Sequence, residues 1–370
     1  VPGLFTEEQD ELRSSARRFL EEKSSSETVR KLMDDEAGFD EAVWRQMAGL
    51  GWMGMAIPEE YGGSGFSFTE LGILLEEMGR VLLPSPFLAT AGMAAFAVLQ
   101  CGSEIQKKKV LTGIADGSVR ATMALVEESG SWAPGSARTA ARRDGDGYLL
   151  TGAKMYVIDG HLADLLVVSA QRDDGEGIGL FLVESAAAGV KRTAMTTLDM
   201  TRKQARIDFD GAAAELLENS SPETLSKSLD LAAIALASEM VGGAEKCLET
   251  AVEYANTRIQ FGRLVGSFQA IKHKCANVLT EVEMAKSAAY YAAWAASEAP
   301  DEITVAACIA KAYASDAFFV AAAENVQIHG GIGFTWEHDA HLYLRRAKSS
   351  EIYLGDASYH RELLVQRIGV

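Results

Sequence analysis

From Glu223 onward, apolar residues recur at helical spacing in three long, alanine-rich runs, near Glu223–Ala255, Phe268–Ala299 and Asp301–Ile328. Runs of that length with short connections have few ways to bury their apolar faces, and an up-down helical bundle is the simplest. Two shorter helical patterns follow. In Ser220-Ser221-Pro222-Glu223, proline suits the first helical position, and Ser220 with Glu223 has capping-box spacing. Gly242-Gly243 inside the first run costs about 1 kcal/mol of helix propensity per glycine. Close approach of a neighbouring helix would explain the pair.

Upstream the rhythm differs. Ala121–Val126, Tyr148–Leu150, Lys154–Ile158, Asp164–Ala170, Ile178–Val183 and Arg206–Phe209 are short apolar runs punctuated by Gly, Asp and Ser, as in an antiparallel β-domain. Before them the pattern is helical again. Thr6 and Gln9 form a capping-box signature ahead of Leu12, Ala16, Phe19 and Leu20, and Asp40 precedes a helix carrying Val43, Trp44 and Met47. A further helix near Thr69–Val81 ends before Pro84 and Pro86, and Ser103 opens one that ends near Gly113. The expected division is a helical segment 1–118, a β-domain 119–216 and a helical bundle 217–370.

A chain of 370 residues with 48% hydrophobic residues suits two or three packed units. A net charge of −17 argues against a nucleic-acid partner, yet a few local Arg and Lys can still hold a small anionic ligand. Val1–Glu22 reads as an amphipathic helix rather than a signal peptide. The apolar stretches look short or broken by charges, so no membrane span and a cytoplasmic location are expected. Cys101, Cys247, Cys275 and Cys308 show no CxxC spacing, which fits reduced thiols and no metal site. There is no internal repeat. Composition and periodicity name no reaction.

Two segments carry more. One is Tyr254-Ala255-Asn256-Thr257-Arg258-Ile259-Gln260-Phe261-Gly262-Arg263 with Phe268-Gln269-Ala270-Ile271, the other Gln327-Ile328-His329-Gly330-Gly331-Ile332-Gly333-Phe334. Glycines after a long helix fit an ordinary helix C-cap. Together, however, the segments resemble the Arg-x-x-Phe-Gly and Gln-x-x-Gly-Gly-x-Gly-Phe motifs of the acyl-CoA dehydrogenase family. Ile57-Pro58-Glu59-Glu60-Tyr61-Gly62-Gly63-Ser64-Gly65 resembles that family's N-domain loop. Gly152-Ala153-Lys154-Met155-Tyr156-Val157-Ile158-Asp159-Gly160 is similar to its Gly-x-Lys-x-Trp-Ile-Thr-x-Gly hairpin. The resemblance covers the whole chain. It implies an N-terminal helical domain, a middle antiparallel β-domain and a C-terminal four-helix bundle. It also implies FAD as cofactor, an acyl-CoA thioester as substrate and an electron-transfer flavoprotein as acceptor. In the family these motifs hold the ADP half of an FAD that belongs mainly to a neighbouring subunit. Carried over by position, Arg258, Gln260, Phe261, Gln269, Gln327, Gly330 and Gly331 are the candidate FAD contacts. Arginine offers fixed charge to a pyrophosphate, and glycine lets phosphate approach backbone amides.

The family's reaction needs a Glu base at one of two places. Here those positions hold Leu354, in Ile352-Tyr353-Leu354-Gly355-Asp356, and Ala232, followed by Ala233. The flavin cradle departs too. Val126 precedes Glu127 where the family often has Thr, the Gly-Ser-Asp loop is replaced by Gly130-Ser131-Trp132-Ala133-Pro134-Gly135, and Tyr156 and Ile158 stand for Trp and Thr. Some bacterial members of the family are α2β2 heterotetramers. Their degenerate subunit completes the FAD site of a catalytic partner, and this chain resembles that subunit, also in Gly355-Asp356 and Tyr359-His360-Arg361. The alternatives are a self-sufficient homodimer or homotetramer with a displaced base such as Asp356, and a flavin monooxygenase of the same fold.

The plainer readings stand beside these. Asp356 also suits an N-cap ahead of Leu363, Leu364 and Ile368. His338 and His341 have metal-compatible spacing without an evident third ligand, and Glu337 lies near the glycines. Arg345, Arg346 and Lys348 fit either a phosphate or a charged helix face. Tyr290, Tyr291 and Trp294 fit a core or an interface.

Overall fold

The structure is a computed structural model that describes residues 5–370, so the expected helix start at Val1 lies outside the described residues. In chain order the helices are α1 (Glu7–Lys23), α2 (Ser26–Asp34), α3 (Glu41–Gly49), α4 (Phe68–Arg80), α5 (Ala95–Cys101) and α6 (Glu104–Ala115). Then come α7 (Pro222–Thr257), α8 (Gln269–Glu298), α9 (Ile303–His329), α10 (Ala340–Ile352) and α11 (Ala357–Ile368). Between α6 and α7 run β1 (Ala121–Ala124), β2 (Ala140–Asp144), β3 (Gly147–Ile158), β4 (Leu165–Arg172), β5 (Ile178–Glu184), β6 (Val190–Met195) and β7 (Gln204–Leu216). A small hairpin, β8 (Ile259–Gln260) and β9 (Arg263–Leu264), joins α7 to α8. Two compact units result, each assembled from separate stretches. Residues up to Lys31, Phe68–Leu83 and Ala233–Val370 form one; Leu32–Ser67 and Pro84–Ala232 form the other.

The first unit is helical. The Thr6–Gln9 box opens α1 as expected: Thr6 N–H donates to Gln9 Oε1 at 3.0 Å and Gln9 N–H to Thr6 Oγ1 at 3.2 Å. Helices α8, α10 and α11 pack on α9, and α4 packs on α1 and α8. The glycine pair of α7 has the expected steric cause. A Cβ at Gly242 would lie 1.8 Å from Glu76 O of α4, one at Gly243 would lie 2.5 Å from the Phe318 ring, and one at Gly79 would lie 1.9 Å from Glu239 O. Helices α4 and α7 therefore touch backbone to backbone. The carboxylates Glu76 and Glu77, both fully buried, are held by partners: Arg13 at 2.8 Å and the Tyr290 hydroxyl at 2.9 Å on Glu76, Arg17 at 2.8 Å on Glu77. Such groups stay charged inside a protein only when paired in this way. One apolar stretch is longer than expected from the sequence. By length and composition the Pro300–Phe334 stretch could cross a membrane, but 61% of its apolar window is buried, as in the core helix of a bundle.

The second unit is built on one sheet with strand order β1-β4-β2-β3-β7-β5, β6 pairing with β7. Strand β5 pairs with β4 as well, which closes the path on itself. Its interior holds Leu150, Val157, Leu166, Val168, Phe181 and Ile207. Most pairings are antiparallel, while β4 runs parallel to β1 and β2. Strands β2 (Ala-Ala-Arg-Arg-Asp) and β6 (Val-Lys-Arg-Thr-Ala-Met) were not among the expected runs, because both are mostly exposed and carry no apolar run. The start of α7 also differs by one residue. Ser221 and Thr224 form the cap, with Thr224 N–H on Ser221 Oγ at 3.2 Å, while Ser220 Oγ accepts Leu180 N–H at 2.8 Å.

Candidate functional site

Helix α7 ends as Arg258 N–H donates to Tyr254 O at 2.9 Å. The chain reverses through Phe261-Gly262, both left-handed with φ of 52° and 76°, the geometry that joins two strands through a two-residue loop. Glycine adopts that conformation freely, whereas Phe261 is held in it with its ring 91% exposed. That ring meets Phe268 edge-on at 6.2 Å, and the Arg263 guanidinium lies 3.9 Å over Phe268. Arg258 and Gln260 are exposed, and the Arg258 guanidinium has no partner among the described residues. Gln269 opens α8, with its amide 3.0 Å from the His273 ring.

The second motif ends α9. Gln327 is exposed on the last turn. Gly330 terminates the helix with φ 66° and ψ −141°, its N–H donating to the carbonyls of Gln327 and Val326. A Cβ at Gly330 or Gly331 would meet nothing within 4 Å, so internal packing does not demand glycine there. The His329 ring lies 4.1 Å from Tyr254 and 4.3 Å from His338, which brings the Arg258 hairpin and the glycine loop together. Sequence reasoning missed this ring stack; its signal was the aromatic residue next to each motif.

Neither base position offers a carboxylate. Leu354 is buried with a left-handed φ of 61°, and Ala232 lies inside α7. The Leu354 carbonyl accepts from His360 Nε2 at 2.9 Å. The next carbonyl, of Gly355, accepts from Lys311 Nζ at 2.9 Å. Lys311 is fully buried and also donates to Ser315 Oγ and Glu351 O, each at 3.0 Å. Burial pushes Lys311 down to about 7 and His360 down to about 4. His360 was read from the sequence only as part of Tyr359-His360-Arg361, and Lys311 was not singled out, although it is the one lysine in the Ala-rich run of α9. Asp356 is exposed and caps α11, accepting Tyr359 N–H at 2.8 Å.

In the sheet unit, Val126 and Ile158 are buried, and Tyr156 is 42% exposed with φ 55°. Thr122 Oγ1 donates to Ile158 O at 2.6 Å. Glu127 accepts from Thr139 N–H and from Lys154 Nζ, both at 2.8 Å, which ties the 128–137 segment to the sheet. Burial pushes the enclosed Lys154 down to about 8 against the pull of Glu127. Residues 131–137 close with Leu225 and Leu229 around a cavity of about 20 Å³, room for roughly one water.

The remaining candidates have ordinary partners. Arg346 forms a buried pair with Glu239 at 2.6 Å, Lys348 meets Glu351 at 3.0 Å, and Arg345 lies 4.8 Å over Trp336. Glu337 is exposed, as are Tyr291 and Trp294, while Tyr290 bonds Glu76. Among the described residues no group of three or more His, Cys, Asp or Glu is placed to hold a metal. The four cysteines are free thiols.

A helical N-terminal segment, a middle β-sheet and a helical bundle, in that order, define an oxidoreductase of the acyl-CoA dehydrogenase fold. Profiles of the acyl-CoA dehydrogenase N-terminal, middle and C-terminal domains match residues 6–118, 122–212 and 223–369. The chain belongs to the acyl-CoA dehydrogenase family. It is 32% identical to acyl-CoA dehydrogenase IpdE2 of Mycolicibacterium smegmatis over 95% of this chain and 96% of that one. Among solved structures it is similar to a variant of the Tcur3481-Tcur3483 steroid ACAD, with 34% identity, a TM-score of 0.90 and 98% of each chain covered. The ChsE4-ChsE5 complex from Mycobacterium tuberculosis gives 28% identity and a TM-score of 0.91, covering 99% of this chain and 98% of that one.

Proposed function

We propose that this chain is the cofactor-completing subunit of a heteromeric acyl-CoA dehydrogenase. It gives an FAD its ADP contacts, while a catalytic partner supplies the flavin cradle and the base. The observation that carries the reading is an asymmetry between two sets of residues. Arg258 has no partner among the described residues, and Gly330 and Gly331 border open space, which fits a pyrophosphate approaching a guanidinium and backbone amides. The flavin side departs from the family pattern: Val126 and Ile158 are buried apolar side chains, and Leu354 and Ala232 cannot take a proton. Likeness to chains of the Tcur3481-Tcur3483 and ChsE4-ChsE5 assemblies supports a heteromer.

In this reading Arg258 neutralises the pyrophosphate, Gly330 and Gly331 admit it, and Phe261 packs beside the ribose or flavin. Gln260, Gln269 and Gln327 supply hydrogen bonds. When bound, FAD supplies the hydride acceptor for oxidation of an acyl-CoA thioester between its α and β carbons. An electron-transfer flavoprotein then takes the electrons. The division 1–118, 119–216 and 217–370 and a cytoplasmic location belong to the same proposal.

The purified chain alone tests it. It should be colourless and should reduce no dye with any acyl-CoA, because abstraction of the α-proton needs a positioned acceptor. Robust turnover by the lone chain, abolished in Asp356→Asn, would overturn the proposal and assign the base to Asp356.

A further inference from the structure

We propose that His329 is a positioning residue that holds the Arg258 hairpin and the Gly330–Gly331 loop in register, and that protonating it releases both. Its consequence for cofactor binding rests on reading this face as the ADP site.

The two motif segments lie 71 residues apart, counting from Arg258 to His329, and the ring stack joins them directly. Tyr254 is one helical turn before Arg258, and its carbonyl accepts the Arg258 amide. Its ring belongs with Ala251, Ala255, Ile271 and Ile328 to a small apolar cluster at the foot of the hairpin. His329 immediately precedes Gly330 and stacks on that ring at 4.1 Å. The 3₁₀ turn Gly330–Phe334 folds back over His329 so tightly that a Cβ at Gly333 would sit 3.1 Å from His329 Cβ. The His338 ring also lies 4.3 Å from the imidazole, tilted 46° to it, so His329 contacts both rings.

The stack suits a neutral ring. His329 is only 4% exposed, and its Nδ1 donates to Asn325 O at 2.8 Å, which leaves Nε2 as the bare nitrogen. The charged and titratable groups around it are mostly cationic or able to become so. From α7 it faces the neutral Tyr254, and from the 335–339 turn it faces His338. Arg30 of α2 donates to His338 O at 3.0 Å. Beyond His338 lies His341 of α10, buried with both ring nitrogens unpartnered and itself influenced by Arg345, Arg30 and His338. Asp339 is the carboxylate of the cluster, and Arg30 already binds it at 2.6 Å. Glu337 is exposed. A proton on His329 would therefore add charge in a buried stack beside His338, whose carbonyl already holds Arg30. Burial, with His338 adding to it, accordingly holds His329 below its ordinary 6.5.

Hydrogen exchange on the full chain tests the coupling without any ligand. In the parent, residues 254–264 and 330–338 should be protected together at about pH 8, and both should exchange about tenfold faster at about pH 5, after correction for intrinsic rates. His329→Phe keeps a ring and cannot take a proton. It should keep the protection and lose the extra exchange in acid, whereas His329→Ala should loosen both segments at either pH. The proposal is overturned if His329→Ala loosens only 330–338, or if the acid response persists in His329→Phe. Should that variant not fold, His329→Gln serves as the non-titrating form. Calorimetric binding of ADP separates the underlying reading. Parent affinity should drop about tenfold from pH 8 to pH 5, and that of His329→Phe should not. Coupled exchange with no ADP binding at either pH would reject the ADP site and leave the ring coupling standing.

Discussion

Gly242 and Gly331 are glycines for opposite reasons, and substitution separates them. Helix propensity alone favours alanine at Gly242 by about 1 kcal/mol. The Cβ would, however, meet Glu76 O at 1.8 Å, and a backbone carbonyl cannot swing aside. Gly242→Ala is therefore predicted to destabilise the fold by about 3 kcal/mol or more in chemical denaturation. At Gly331 no atom lies within 4 Å of the added methyl. Gly331→Ala should leave the denaturation midpoint unchanged and lower flavin retention in the co-purified heteromer. Arg258→Ala should weaken FAD there by about tenfold or more, the worth of one charge-assisted bond to phosphate. Full retention would remove Arg258 from the site. These residues were legible in the sequence because their types and spacing survive without any neighbour. Lys311, the His360 contact with Leu354 O and the Tyr254–His329–His338 stack were not, since each acquires meaning only when separate segments meet.

At the scale of elements, the Leu354–Gly355 turn shows what stands where a base is expected. Two consecutive left-handed residues are gripped through their carbonyls by His360 and Lys311. His360 titrates at about 4 in the folded chain against an ordinary 6.5, so above 6.5 its contribution to stability is fully present. As pH falls below 6.5 the unfolded chain takes the proton first, and the contribution is lost progressively down to about 4. The full effect is about 3 kcal/mol, and His161, His329 and His341 shift in the same direction. Urea midpoints measured between pH 7 and 4 should fall, and His360→Gln should flatten that fall; a parent curve flat over this range would contradict it. Long elements were readable from periodicity: α7, α8 and α9 lie close to their expected spans. Strands β2 and β6 were not, because neither carries an apolar run, and the α7 cap moved to Ser221 because Ser220 is engaged by Leu180. The apolarity of α9 reports burial within the bundle, which a hydropathy window cannot tell from a membrane span.

At the scale of the whole molecule, the central claim is a division of labour: this chain completes an FAD site and a partner does the chemistry. An ADP face made by one chain and a flavin cradle made by another require an oligomer, so sedimentation at micromolar concentration should show a dimer or tetramer and not a monomer. The composition agrees in one respect, since a chain of net charge −17 that leaves Arg258 without a partner among the described residues holds that cation available for an anion. The most direct measurement is the flavin content of the purified heterotetramer, by absorbance against protein concentration. The account predicts two FAD per tetramer, with no third or fourth gained in Ile158→Thr. Four FAD per tetramer would contradict it, because each copy of this chain would then cradle a flavin of its own.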